Sequence, residues 1–550
     1  MNLLASRPRK TLFPFIISAF TGTVLVYLLE HSVLSQTGGA FVYPLDDPFI
    51  HMQIARNLAH HGTWGINPQE FGSASSSLLY TLLLTIIFKL ISGSVMVPFL
   101  INCISGLVLL WAVDNWLHRQ GIGNRGRLIT LLLLIFLLPL PTLVVSGMEH
   151  TLQCLLTFLF ATKFAEWVES SEGGRWRLSL PVIVYAMLVS ALRYEGLFLV
   201  FGAGLILLYK RRLFTAIQLG VLAFVPVFVF GVLSVMKGSF FLPNSVLVKS
   251  DSAPLSFGGL AEYLNNIFVN RLTIVKQQPG MIGSPPPGIS LLATQRLLII
   301  LPLVCWIFRA PLKRAPVYFY ALAILTITTV FQLALASTGW FYRYEAYLVG
   351  VIAVIVAVLV IKHGKEVMPS EGGKWVKCGL AVLLGFALFF PFLLRSSAAS
   401  TKAKRACLNI YDQQYQMAHF IHTYYDSSSI AANDIGAISY YSNARIVDLW
   451  GLGSIEVARS KKGHYWTPVF LDSLVRAKDV KLAIVYDEWF DKELLHKWTK
   501  LATWKMPDNV ICGSDIVSFY AIRPEDVEGI KANLKAYKAR LPSEIQVADF

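Results

Sequence analysis

Tyr43-Pro44-Leu45-Asp46-Asp47-Pro48-Phe49-Ile50-His51 sets two adjacent carboxylates directly after the first long apolar run of the chain. Apolar residues flank the pair, and Arg56 follows close behind. Neighbouring acids at the edge of a membrane are costly to desolvate, so they have a chemical task or stand in water. An ordinary polar loop is the plain reading, and the remainder of the chain decides between the two.

Composition makes the membrane setting concrete. The chain has 550 residues, of which 55% are hydrophobic and only 15% charged, with a mean hydropathy of +0.57. A soluble chain of this length carries more charge, so most of this one is expected in a bilayer. The net charge of +15 comes from short basic clusters between apolar runs, not from a patch interleaved with aromatics. That pattern is membrane topology and argues against nucleic acid as a partner.

Apolar runs near 12–30, 95–116, 128–145, 150–167, 178–192, 196–209, 214–236, 294–308, 316–337, 346–362 and 378–394 suit crossings of the bilayer, about eleven in all. The first follows Arg7, Arg9 and Lys10 and lacks a cleavage-like small-residue motif, so it reads as a retained helix. Charge assigns the ambiguous run at 76–91. Without it, the N-terminal cluster shares a side with Arg119, Arg125 and Arg127, with Lys210-Arg211-Arg212, and with Arg309, Lys313 and Arg314. That is a consistent positive-inside pattern, so 76–91 is read as a juxtamembrane helix. The N-terminus is then cytoplasmic, and everything after 395 is periplasmic. The loops holding Asp46-Asp47, Glu149, Arg193-Glu195, 237–293 and Arg343 fall on that same external face.

The first external loop continues as an amphipathic segment over 48–62, with Phe49, Met52, Ile54, Ala55 and Leu58 at near-helical spacing. Gly62, Gly65, Asn67 and Pro68 form a turn-rich stretch, and Glu70, Gly72 and the serines at 73 and 75–77 lead into the 76–91 helix. Here the chain resembles the first periplasmic loop of GT-C-fold glycosyltransferases, most of all the polyprenyl-phosphate-dependent group that includes cell-wall arabinofuranosyltransferases. The resemblance rests on Asp46-Asp47 with Ile50 and Ala55-Arg56-Asn57-Leu58-Ala59, on Ser146-Gly147-Met148-Glu149, on Arg193-Tyr194-Glu195-Gly196, and on Pro243-Asn244 with Lys249. It extends to Asp434-Ile435-Gly436 and to Asp448-Leu449-Trp450-Gly451-Leu452. Met148 and Tyr194 depart from the Leu and Pro of that group.

The resemblance implies an integral enzyme of the bacterial inner membrane. It would move a sugar from a polyprenyl-phosphate donor to a cell-envelope glycan or lipid acceptor, with inversion. Such a reaction needs a carboxylate to take the acceptor proton, an anion beside a sugar with cationic character, and cations for the departing lipid phosphate. Asp46 aligns with the leading acid of the motif and is the preferred base; Asp47 stands next to it, and the sequence alone does not separate them. Glu149, Glu195, His51 and Asn244 are candidates for the sugar or a cation. Asp47 and Glu149 are the candidate ligands if a divalent cation (Mg, Mn or Ca) takes part, a point the sequence leaves open. Arg343, braced by Tyr342 and Tyr344, is the leading phosphate ligand, ahead of Lys249, Arg193 and Arg56. Arg193 and Glu195 equally suit a salt bridge that fixes a broken helix.

The fold expected is a polytopic α-helical membrane domain over 1–394, with its catalytic external loop at 31–94, and a periplasmic α/β domain over 395–550. In the latter, 429–432, 445–448 and 481–486 read as strands, and 408–425, 468–478 and 488–502 as helices. Tyr440, Tyr441, Trp450, Tyr465 and Trp466 suit stacking on acceptor sugars or plain packing. Cys407 and Cys512 could pair in an oxidising compartment. The long 237–293 loop suits a binding element that orders on the donor. A transporter or flippase for lipid-linked glycans is the alternative of a different class. It would place ionisable groups near the bilayer midplane and show internal repeats, and neither is seen in the sequence.

Overall fold

The structure is a computed structural model, and it describes residues 11–91, 93–172, 174, 176–249, 298, 307–336, 340–367 and 374–550. Among these, five helices are long and apolar enough to cross a membrane: Phe13–Leu34, Val97–Arg119, Leu213–Met236, Pro316–Leu335 and Ala346–Glu366. They mark a multi-pass membrane protein. The run at 294–308 lies outside the described residues. The runs at 178–192 and 196–209 form helices of 13 and 14 residues, Leu180–Leu192 and Gly196–Tyr209, each shorter than the ~20 residues of a full crossing. The run at 128–145 divides into Asn124–Leu137 and Leu140–Val145. Pro139 (φ 22°) and Pro141 interrupt the ladder there.

The chain divides into two compact units. One comprises Met1–Glu30, Phe99–Val227 and Ala253–Thr401; the other comprises His31–Pro98, Phe228–Ser252 and Lys402–Phe550. The first is a helix bundle about His150–Ser171, which packs against Leu140–Val145, Leu180–Leu192, Gly196–Tyr209, Pro316–Leu335 and Ala346–Val367. Most of this helix is buried, with Gln153, Thr157 and Thr162 among the enclosed residues, as befits the centre of a bundle. Gly202 permits close approach to the Ile324 backbone, which a Cβ would meet at 3.3 Å. Arg127, one of the cations used to infer topology, is not a loop charge. Its guanidinium is fully buried, donates from Nε to Asp114 Oδ1 at 2.8 Å, and also reaches the Thr11 carbonyl and Asn124. Burial of an arginine is tolerated when its partner shares the burial, as Asp114 does.

The second unit holds a six-stranded sheet in the order β2-β1-β3-β5-β4-β6. The strands are β1 (Ser429–Ala432), β2 (Arg445–Asp448), β3 (Val480–Val485), β4 (Thr499–Lys505), β5 (Ile516–Ala521) and β6 (Gln546–Asp549). β1 pairs in parallel with β2 and β3, while β5, β4 and β6 add in antiparallel fashion. The first three strands match the apolar runs of the sequence. The expected helix at 488–502 is not formed: it resolves into a turn, the four-residue helix Lys492–Leu495, and β4. The partners β5 and β6 outweigh its local pattern, whose alternation is broken by a register shift between Lys500 and Ala502. The helix Lys374–Ile410 runs unbroken through position 395, so the domain edge read from hydropathy falls inside a helix. Cys407 and Cys512 are both buried thiols with no disulfide between them; the Cys512 thiol lies 3.4 Å from Gln414 Oε1.

Residues 31–98 belong to this same unit. The helix Asp47–His61 ends on Gly62 in the left-handed conformation (φ 69°), and the 13-residue helix Leu78–Leu90 starts on the Ser77 cap. Asn67 lies along β2, the edge strand of the sheet. Its amide donates to the Ile446 carbonyl at 2.9 Å and accepts from the Ile446 N–H at 3.0 Å, covering an edge that would otherwise be open. Gly72 lies against Gly453, where a Cβ would stand 2.6 Å from the carbonyl oxygen. The loop bearing Gly453 is itself held by Asp448, whose carboxylate accepts from the N–H groups of Trp450, Gly451 and Gly453 at 2.7, 3.0 and 2.6 Å.

Removing the Asp448 carboxylate leaves three backbone donors without an acceptor, that of Gly451 buried and those of Trp450 and Gly453 partly buried. The Asp448→Ala substitution should cost about 2–4 kcal/mol, read as a lower melting temperature in Trp fluorescence of the purified protein; an unchanged melt would refute the role assigned to this loop.

Candidate active site

In the second unit the site is built on the contact between two helices, Asp47–His61 and the six-residue Gly436–Tyr441. Asp46, the cap residue of the first helix, accepts from the Gly436 N–H at 2.6 Å and the Ala437 N–H at 2.8 Å. Arg56, on the same helix, donates to the Tyr440 carbonyl at 2.9 Å and the Ser439 carbonyl at 3.3 Å, and its guanidinium lies over the Tyr440 ring at 5.1 Å. A carboxylate thus meets the open donors at one end of the short helix, and a guanidinium meets the open acceptors at the other. Position 436 has to be glycine, because a Cβ would stand 2.7 Å from the Asp46 carboxyl carbon.

Asp46 and Asp47 do not stand alone. Asp434 opens the turn into the short helix, and its Oδ2 accepts from Gln414 Nε2 at 2.8 Å and lies 2.6 Å from the Tyr486 hydroxyl. The Tyr486 hydroxyl lies 2.6 Å from Gln413 Oε1 as well. Gln413 and Gln414 come from the π-helical stretch Tyr411–Tyr415, a local widening of the helix that aims side chains off the regular stripe. Burial pushes the Asp46 carboxyl up to about 7; the nearby Asp434 charge and that of Asp47 add to this, against the two N–H donors. Burial raises Asp434 too, against the Tyr486 and Gln414 donors, with Asp47 adding its charge. The sequence singles out Asp46 and Asp47, and Asp434 enters it only within the Asp434-Ile435-Gly436 stretch of the resemblance. Nothing in the local sequence marks Gln413, Gln414 or Tyr486.

Of the other residues expected in this unit, His51 is tied down: its Nδ1 lies 3.0 Å from Thr81 Oγ1 and 3.1 Å from Ser75 Oγ, and Ser75 also donates to the Ser77 carbonyl at 2.9 Å. Asn244 is fully buried, and its N–H donates to the Ser73 carbonyl at 3.0 Å. Lys249 closes the helix Asn244–Lys249, and its side chain lies outside the described residues, as does most of the 237–293 loop.

The first unit holds the remaining expected residues in a separate buried cluster. Arg193 sits in the break between Leu180–Leu192 and Gly196–Tyr209. It makes a two-pronged contact with Glu195 at 2.7 and 3.1 Å and reaches Glu149 Oε1 at 2.5 Å. Its guanidinium also lies 5.5 Å from the Tyr344 ring centre, while that of Arg343 lies 5.0 Å from the same ring and donates to the Tyr344 hydroxyl at 3.2 Å. His150 meets that ring edge-on, with centroids 5.8 Å apart, and holds Gln153 through Nδ1 at 3.0 Å. Phe341 (φ 52°) and Tyr342 (φ 54°) precede Arg343 in the left-handed region, which non-glycine residues avoid. Strain of that kind at the base of a buried cation is characteristic of ligand-binding turns.

Among the described residues no three His, Cys, Asp or Glu side chains gather as a metal ion requires, and Asp47 and Glu149 belong to different units.

Two substitutions test the contact between the helices. Gly436→Ala should displace Asp46 and raise amide exchange throughout 46–61, with unchanged exchange counting against the contact. The second test is one of pH. The folded value of Asp46, about 7, stands above its ordinary 3.8, so the fold favours the protonated acid. Its contribution to stability is therefore full below about pH 4 and lost as pH rises through 7. The melting temperature of Asp46→Asn, which does not titrate, should climb relative to wild type between pH 4 and pH 8; a flat difference would refute the shift.

Comparison with known proteins adds the following. A family profile described as "Domain of unknown function (DUF8728)" matches residues 408–520. No curated protein matches the sequence. Among solved structures, ArnT from Cupriavidus metallidurans bound to undecaprenyl phosphate superimposes with a TM-score of 0.51 at 13% identity, covering 94% of this chain and 99% of that one. Its apo state gives 0.50 at 12% identity, with the same coverage of both chains. At that identity the likeness shows fold alone: the chain shares the fold of this ArnT.

Proposed function

We propose that this chain is a membrane glycosyltransferase that transfers a sugar from a polyprenyl-phosphate donor to a cell-envelope acceptor at the external face of a bacterial inner membrane. The observation that carries the reading is the fold, alike over 94% of the chain to an ArnT solved with undecaprenyl phosphate bound. With this function go about eleven crossings, a cytoplasmic N-terminus, a periplasmic α/β region, and a donor of the kind used by arabinofuranosyltransferases.

Asp46 is the base: its carboxyl, raised to about 7, is poised where a general base is most effective near neutral pH. The N–H groups of Gly436 and Ala437 fix its orientation and occupy one lone-pair site on each oxygen, and each oxygen keeps a second for the acceptor hydroxyl. Asp47 stands beside it as the anion that favours positive character on the sugar. Arg343, with Tyr342 and Tyr344, takes the lipid phosphate, where a planar guanidinium offers paired donors. Arg193 is held by Glu149 and Glu195, and it serves by keeping Tyr344 in place. In-line attack by a single acceptor inverts the anomeric carbon.

Purified protein in nanodiscs, supplied with a panel of polyprenyl-phosphate sugars with and without chelator, tests this directly. Wild type should turn over at least one donor. Asp46→Asn should lower kcat by about 10²–10⁴, and Arg343→Lys should cost at least about tenfold in kcat/KM. Full turnover in both Asp46→Asn and Asp47→Asn would sink the proposal.

A further inference from the structure

Among the polar side chains of the second unit that are buried without a hydrogen-bond partner among the described residues, four lie in the segments 64–73 and 244–245. They are Trp64 through Nε1, Ser73 through Oγ, Asn244 through both Nδ2 and Oδ1, and Ser245 through Oγ. Ser73 and Asn244 are fully inaccessible, Ser245 is 6% exposed and Trp64 8%. Backbone bonds draw them together: the Asn244 N–H donates to the Ser73 carbonyl at 3.0 Å, and the Gly72 N–H donates to the Trp64 carbonyl at 2.8 Å. The Trp64 ring also packs on Phe230 at 4.9 Å, so the indole is held in place by its apolar face while its N–H is left over.

A primary amide can donate twice and accept twice. Burying it with every site empty is among the costlier things a fold can do, and several such groups in one neighbourhood are not expected from packing alone. The chemistry of the set indicates what would satisfy it. It offers donors and acceptors in near-equal measure and carries no charge, so it suits neither a phosphate nor a metal ion. An indole, an amide and two hydroxyls match a ligand with several neutral hydroxyl groups on a compact frame.

We infer that Trp64, Ser73, Asn244 and Ser245 form a subsite for the hydroxyl groups of a sugar ring, separate from the groups assigned to base and phosphate. The inference rests on the reading of a lipid-linked sugar as substrate and names the residues that recognise its sugar portion. The subsite supplies specificity, since a site built to hydrogen-bond hydroxyls penalises ligands that lack them.

The test compares binding of a hexosyl and a pentosyl polyprenyl phosphate with binding of the bare polyprenyl phosphate, using the full chain in nanodiscs. Asn244→Ala should weaken binding of the better glycosylated lipid by about tenfold or more, leaving the bare lipid phosphate unaffected. Ser73→Ala and Ser245→Ala guard against a variant that fails to fold. Each removes one hydroxyl that has no partner, so the ligand-free melting temperature should hold or rise while affinity for the glycosylated lipid falls. Equal losses for both lipids, or a lower ligand-free melting temperature with unchanged affinity, would assign these residues to packing or bound water and overturn the subsite. Should wild type bind neither kind of lipid, the glycosyltransferase reading itself fails, which is a distinct outcome.

Discussion

The Gly436–Tyr441 helix is six residues long, far too short to form on its own. It exists because Asp46 takes the N–H groups at its start and Arg56 supplies donors to the carbonyls near its end. Asp46 caps the helix Asp47–His61 and Arg56 lies within it. Each charge is thereby paired with the end of a helix that needs it, which offsets part of the cost that burial imposes on both. Much of the second unit follows from this contact. Once residues 46–56 are set on 436–441, Asn67 reaches the edge of β2, Gly72 settles on Gly453, and Glu70 pairs with Arg445.

The same contact gives the acid pair its chemical character. Asp46 is oriented by backbone groups, which do not rotate, and its charge is opposed by Asp434, which is held by Gln414 and Tyr486. A carboxyl positioned by the backbone and kept near neutrality by burial, with another acid adding to it, is organised before any ligand arrives, the condition under which electrostatic groups act most effectively. The buried cluster of the first unit uses a different device. Two guanidiniums share the ring of Tyr344, and one of them is neutralised by Glu149 and Glu195. Arg343, reached through two residues in strained backbone conformation, is the more distinctive of the two cations.

Legibility in the sequence followed the range of the forces involved. Strands β1, β2 and β3 are short apolar runs, and they appear where the residues suggest. β4 does not, because Thr499–Lys505 owes its conformation to pairing with β5 and β6, and one register shift hides its alternation. Arg127 was counted as a loop cation since sequence shows its charge but not Asp114, thirteen residues earlier, waiting inside the bundle. Asp46 and Asp47 were conspicuous as acids at a membrane edge. Their setting was not, since the groups that hold Asp46 lie 390 and 391 residues away, and Gln413, Gln414 and Tyr486 carry no local mark.

Composition alone determines that this chain is dominated by membrane helices, because 55% hydrophobic residues with 15% charge cannot be dissolved in water over such a length. The order of its motifs points to Asp46, Asp47, Glu149, Arg193, Asn244 and Arg343, since ionisable and amide groups are costly beside apolar runs and stand out there. Only the tertiary structure decides which of them meet. It joins the first loop to the α/β region through Asp46 and Arg56, groups Arg193 with Glu149 and Glu195, and leaves Asn244 buried beside Ser73 with its amide unmet. These outcomes depend on hydrogen bonds between residues far apart in the chain. Such bonds are specified by position in space and leave no periodic trace in the sequence.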